Sequence, residues 1–197
     1  RVFSIVLSDI VGDPLDMIAS GPAYPDTSTA EQAQEIVKKY ALHLSDEALS
    51  CLEAPTPKQL SNVEPHITGS VRALCASAQE AAQALGFQCR MLTDCLDCEA
   101  REAGRFLASI ARSHQQTERP LAFFAGGETV VHLTGQGLGG RNQELALAAA
   151  PGLRGTQNTA VCSFGSDGTD GPTDAAGGFV DQDSDAALCA AGYDAAQ

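Results

Sequence analysis

The residues best able to do chemistry are gathered in three loops. The richest reads Gly135-Gln136-Gly137-Leu138-Gly139-Gly140-Arg141-Asn142-Gln143-Glu144. Glycines let the backbone approach an oxyanion closely, and a helix starting there supplies N–H groups and a favourable dipole. Arg141 adds a planar guanidinium suited to grip a phosphate or carboxylate with two parallel hydrogen bonds. Gly135, Gly137 and Gly140 also satisfy the dinucleotide spacing G-x-G-x-x-G. That fingerprint wants an acid about 20 positions on, at the end of the next strand, to hold a ribose. The first acid after Glu144 is Asp167. It lies in a loop, as one of a cluster, so an anion-binding loop is the better reading.

The second loop, residues 165–178, carries Asp167, Asp170 and Asp174 among Gly, Thr and Pro. Mg2+ takes one or two carboxylates and completes its shell with water and substrate phosphates. These acids fit that use, or the acceptance of a hydroxyl proton. Residues 8–13 and 18–22 form the third loop, where Ser8, Asp9, Asp13 and Ser20-Gly21-Pro22 follow an apolar run. Glu128 follows Gly126-Gly127 in a tight turn expected between two strands. His43, His66, His114 and His132 sit in ordinary surroundings and read as structural, so no Ser–His–Asp set emerges. The Walker pattern GxxxxGK[ST] does not occur in the sequence.

The elements that must position these loops alternate in type. Strands are expected over 2–7, 66–68, 87–92, 121–125, 129–133 and 159–164, the first of them buried. Helices are expected over 29–40, 45–53, 70–85, 99–113 and 141–149. A polar, Pro-containing connector, residues 54–65, separates a first domain (1–65) from a second (66–197). The class expected is α/β, with largely parallel or mixed sheets and flanking helices. Composition agrees: 44% of the 197 residues are hydrophobic, enough for a sizeable core. A formal charge of −13 excludes a broad basic surface for nucleic acid. No run of roughly 18 apolar residues suggests a membrane span. Seven scattered cysteines, Cys95-x-x-Cys98 among them, read as thiols of a reducing, cytoplasmic compartment rather than as a disulfide framework. The abrupt strand after Arg1, with no initiating Met, suggests a piece of a longer protein.

Together the motifs resemble the glycerate 2-kinases of the MOFRL type, a family also named hydroxypyruvate reductases. The resemblance rests on Leu7-Ser8-Asp9-Ile10-Val11-Gly12-Asp13 leading to Ile18-Ala19-Ser20-Gly21-Pro22, on Gly69-Ser70, and on Ala125-Gly126-Gly127-Glu128-Thr129. It continues through Gly137-Leu138-Gly139-Gly140-Arg141-Asn142-Gln143-Glu144-Leu145-Ala146-Leu147, and Asp167-Gly168-Thr169-Asp170-Gly171-Pro172-Thr173-Asp174-Ala175-Ala176-Gly177. These stand in the family's order and span essentially the whole chain. They imply the end of one Rossmann-like domain followed by most of a second α/β domain.

The resemblance implies ATP-dependent phosphorylation of D-glycerate to 2-phosphoglycerate, with Mg2+, in a cleft between two domains. Arg141 would stabilise the transferring phosphoryl group or hold the glycerate carboxylate. Asp167 and Asp170 would hold the metal or orient the hydroxyl, and Asp9 would join Arg141 and Asp167 in catalysis. Ser8, Ser20, Gly21, Gly69 and Ser70 would bind substrate or nucleotide. So would Glu128, Gly139, Gly140, Asn142, Glu144 and Gly168. The partners implied are glycerate and ATP, with a homo-oligomer left open. The chain departs from the family at Val71, where an Asn is usual, and at Cys98, where a Gly is usual. Family members are about twice as long, so the chain alone is expected to be inactive. A hydroxypyruvate reductase using NAD(P) at Gly135, Gly137 and Gly140 remains an alternative, as does a ligand-binding domain without catalysis.

Overall fold

The unbroken apolar run after Arg1 becomes strand β1, Val2–Leu7, in a computed structural model that describes residues 1–195. Those residues fall into two units, Arg1–Leu74 and a second that begins at Cys75. In the first, β1 pairs in parallel with β2, Val63–Gly69, with Val2 opposite Val63 and Ile5 opposite His66. Residues 63–65 were expected to close the connector; instead they belong to the strand. Pro65 is tolerated there because β2 has a single strand partner and can spare an N–H on its other edge. β1 was expected to be buried, yet Phe3, Ile5 and Leu7 are exposed. Parallel strands are normally covered on both faces, but within this unit β1 is left uncovered.

Helix α1, Ala30–Lys39, begins at a full capping box. Thr29 Oγ1 accepts from Gln32 N at 3.3 Å, and Gln32 Oε1 accepts from Thr29 N at 2.9 Å. Helix α2, Asp46–Cys51, is capped by Ser45, and α3, Val71–Ala84, by Ser70.

The second unit is built on β3, Gln88–Leu96, and β4, Leu121–Gly127, paired in parallel across α4, Ala100–Ser113. Then come α5, Arg141–Leu153, the antiparallel pair β5, Ala160–Phe164, and β6, Gly177–Asp181, and finally α6, Ser184–Ala190. The fold is thus mixed α/β, with small sheets flanked by helices. No strand forms at 129–133. Val130 makes one bridge, to Glu99: its N–H donates to Cys98 O at 3.1 Å and its carbonyl accepts from Ala100 N at 2.9 Å. The segment therefore pairs with the start of α4 rather than with another strand.

The core of this unit is mostly alanine. Ala100, Ala103 and Ala108 of α4 meet Leu145, Ala146, Ala149, Ala150 and Leu153 of α5, with Val161 and Val180 behind them. Small residues let the two backbones approach closely. At Gly104 any side chain would collide with the carbonyl oxygen of Leu145. Helix α5 also outlasts its expected end at 149, continuing through Pro151, because Leu153 is fully buried there. Such close packing on α4 fixes where the first turn of α5 points.

Candidate functional site

That first turn is the centre of the site. Gly140 is its N-cap and carries no side chain to satisfy the free N–H groups. The cap comes from another loop. Asp170 Oδ1 accepts from Asn142 N and Asn142 Nδ2, both at 3.0 Å. Its Oδ2 accepts from Gln143 N at 2.8 Å and Gln143 Nε2 at 3.1 Å. Burial pushes the Asp170 carboxyl up, but these hydrogen bonds together outweigh it and hold the group below the usual carboxylate range. Asp170 is 2% exposed. The loops touch so closely that a Cβ on Gly140 would strike the Asp170 carboxylate, and one on Gly171 would strike Gly139 O. Asn142 Oδ1 further accepts from Ser163 Oγ at 2.6 Å, tying the helix start to β5.

Two expectations change here. The helix N-terminus was to be an open anion site, but two of its N–H groups serve an internal carboxylate. Asp170 was to be a metal ligand, but its two oxygens already accept four hydrogen bonds and have little left to offer a cation. The dinucleotide alternative weakens for the same reason. Its pyrophosphate needs that helix start, and its glycines should follow a strand that does not form.

What remains open is the adjoining cavity, about 1140 Å³, lined by the 129–141 segment, the α4–α5 face and residues around Asp167. Arg141 points into it and donates from Nη1 to Glu128 Oε1 at 2.6 Å, both side chains being about half exposed. Asp167 also lines it. Its carboxylate accepts from Thr169 N at 3.1 Å and Thr169 Oγ1 at 3.0 Å. These two bonds, the backbone one foremost, lower its pKa, with a smaller contribution from the charge of Arg141. A carboxylate held so acidic is a weak base but a dependable negative charge, suited to a cation or to orienting a hydroxyl. Gly139, Gly140 and Glu144 line the cavity, Glu144 being paired with Arg101 Nε at 2.9 Å. Asn142 lies behind, in the cap, and Gly168 turns the acidic loop at a φ of +83°.

The sequence reading missed Arg101, Arg105 and Arg112, which line the same cavity from α4. With Arg141 they make four of the chain's 12 basic residues. The signal was available, since positions 101, 105 and 112 share one helical face. His132, read as structural, also lines the cavity. Among the described residues no group of three or more His, Cys, Asp or Glu converges to hold a metal. The residues present still suit Mg2+, which needs only Asp167 and the oxygens of a bound phosphate. Cys95 is exposed and Cys98 half-buried against the alanine core.

The remaining predicted residues belong to the first unit. Ser8 is buried, its N–H donating to Gly69 O at 2.8 Å, while Asp9 is exposed. Ser70 is occupied as the cap of α3. Ala19, Ser20 and Gly21 are three consecutive residues at positive φ, +48°, +63° and +58°. Two of them are not glycine, and such strain persists only where the surroundings enforce it.

The second unit thus presents a mixed α/β frame on which an arginine, an ionised carboxylate and a glycine-rich loop face one cavity. Residues 121–197 match the model of the MOFRL family. Residues 1–53 match a domain of unknown function, DUF4147. The chain is 52% identical over 198 residues to the D-glycerate 2-kinase of Thermotoga maritima, covering 98% of this chain and 48% of that protein. It is 38% identical over 192 residues to a glycerate 2-kinase of Pyrococcus horikoshii, covering 90% and 43%. A crystal structure of glycerate kinase from Thermotoga maritima superposes with a TM-score of 0.92 at 51% identity, over 100% of this chain and 49% of that one. The chain spans about half the length of these relatives.

Proposed function

We propose that the chain is part of a glycerate kinase that transfers the γ-phosphoryl group of ATP to the 2-hydroxyl of D-glycerate. The observation that carries this is that Arg141 and the ionised Asp167 line one cavity, their loops locked together by Asp170. Phosphoryl transfer asks mainly for positioning and for stabilisation of developing charge. Arg141 provides the fork for phosphoryl oxygens or for the glycerate carboxylate, releasing Glu128 as it does so. Asp167 provides the charge that holds a cation or turns the acceptor hydroxyl. Mg2+, bound by Asp167 and the phosphates, would neutralise the charge between donor and acceptor. The binding roles proposed for Gly139, Gly140 and Glu144 follow from their places on the cavity wall. In the first unit, the strained turn at residues 19–21 is that unit's own candidate binding surface. The likeness to named glycerate kinases supports glycerate, a small molecule, as the substrate.

The test is a coupled assay of ATP consumption with the intact protein, across glycerate, hydroxypyruvate and tartronate semialdehyde. Phosphorus NMR identifies the product. Glycerate alone should support turnover, and Arg141→Ala should lower it by roughly 10² or more. A near-normal rate in that variant overturns the role given to Arg141.

A further inference from the structure

Beyond Val131, which packs against the alanine core, the segment up to Gly139 has no structural task of its own. Its two ends are fixed, at Val130 by the pair of hydrogen bonds to the start of α4 and at Gly139 by the close approach to Gly171. Between these anchors, residues 131–138 make no hydrogen bond or ion pair among the described residues. Cβ atoms built on Gly135 and Gly137 would meet at most one backbone atom, so nothing packs on the middle of the segment. Yet it carries Leu133, 89% exposed, and Leu138, 79% exposed, and both line the cavity beside Arg141. Large apolar side chains are not held in water by any packing here, and moving inward would bury them. Two firm anchors, a glycine-containing span and exposed apolar residues at the cavity rim are the parts of a hinged cover.

We propose that residues 132–138 are a lid that brings Leu133 and Leu138 over the cavity once the acceptor is bound, and so makes the site choose a sugar-acid hydroxyl over water. This rests on the kinase reading above. In productive turnover the hydroxyl oxygen forms a bond to the γ-phosphorus, the bond from that phosphorus to the β–γ bridging oxygen breaks, and the hydroxyl proton is released. If water takes the same place, the same bond breaks and the products are ADP and inorganic phosphate. The open cavity admits both acceptors. Closure over glycerate excludes the second, by the general means through which lids suppress hydrolysis.

The test uses the intact protein in two measurements. Hydrogen exchange of the 132–138 amides is followed without ligand, with Mg2+ and a non-hydrolysable ATP analogue, and with analogue plus glycerate. Protection should appear only with glycerate present. The variant with both Leu133→Ser and Leu138→Ser should melt as the parent does, since both positions are exposed. Its ratio of inorganic phosphate to phosphoglycerate should rise about tenfold, the equivalent of ~1.4 kcal/mol in relative barrier. Amides already protected without ligand would mean that another part of the protein covers the leucines, and would overturn the lid. An unchanged product ratio, in a parent that phosphorylates glycerate, also overturns it. A parent that binds nucleotide but never phosphorylates glycerate overturns the kinase reading instead, and the exchange data then show whether the segment closes on nucleotide.

Discussion

Replacing Asp170 separates two accounts of the acidic loop. In the structure its carboxylate is the cap of α5, accepting from two backbone N–H groups and two side-chain amides. Asp170→Ala removes a cap, which costs about 1–2 kcal/mol. The N–H groups it strands are two and partly buried, which raises the loss above an ordinary cap, to about 1–3 kcal/mol for each. The loss should be about 3 kcal/mol or more. With a urea slope of roughly 1–3 kcal/mol/M, the unfolding midpoint falls by about 1 M or more. Asp170→Asn keeps the shape but turns an amide N–H toward donors, and should cost nearly as much. The effect must appear in protein stripped of divalent cations. The carboxyl's pKa is lower in the folded state than in the unfolded one. Its contribution is therefore complete above the unfolded pKa, about 3.9, and drains away as pH falls through the folded value. The gap between parent and Asp170→Asn should narrow below pH ~4. A variant of near-parental stability without metal, but with a greatly raised Mg2+ requirement, would show that Asp170 is a metal ligand and that the cap is incidental.

Two further substitutions probe the frame. Gly104→Ala forces a methyl against Leu145 O and should cost about 1–3 kcal/mol by parting α4 from α5; unchanged melting would show that the helices have slack. Ser20→Gly should raise the melting temperature, because relief of a left-handed residue, about 1–2 kcal/mol, exceeds glycine's added unfolded-state entropy of about 0.4–1 kcal/mol; a fall would mean that Ser20 is held by contacts rather than under strain.

Much of the frame was legible because its signals are local. Helices were expected to open near Thr29, Ser45 and Ser70, and in the structure each of these side chains caps its helix within four residues of chain. Strand ends were harder. Residues 129–133 carry β-branched residues but find the start of α4 instead of a strand, and β2 absorbs Pro65 because it has an edge to spare. The cap on α5 was illegible for a plainer reason: donor and acceptor are 27 or 28 positions apart. Only an indirect sign existed, a helix opening on Gly140 with no capping side chain, whose N–H groups had to be satisfied from elsewhere.

That distant cap alters the logic of anion binding in this fold. A glycine-rich loop before a helix ordinarily draws its affinity from the helix terminus. Here Asp170 already holds the α5 terminus, so in the proposed reaction an incoming phosphate would depend on Arg141 and on the loop backbone. Arg141 is not idle while it waits: Glu128 occupies its fork at 2.6 Å. An exposed pair of this kind is worth only about 0–1 kcal/mol, so a dianion that engages the guanidinium bidentately displaces Glu128 at small cost. A neutral ligand offers no such exchange. In the proposed reaction the pairing would hold Arg141 in place in a chain of net charge −13 and would yield most readily to a phosphate dianion.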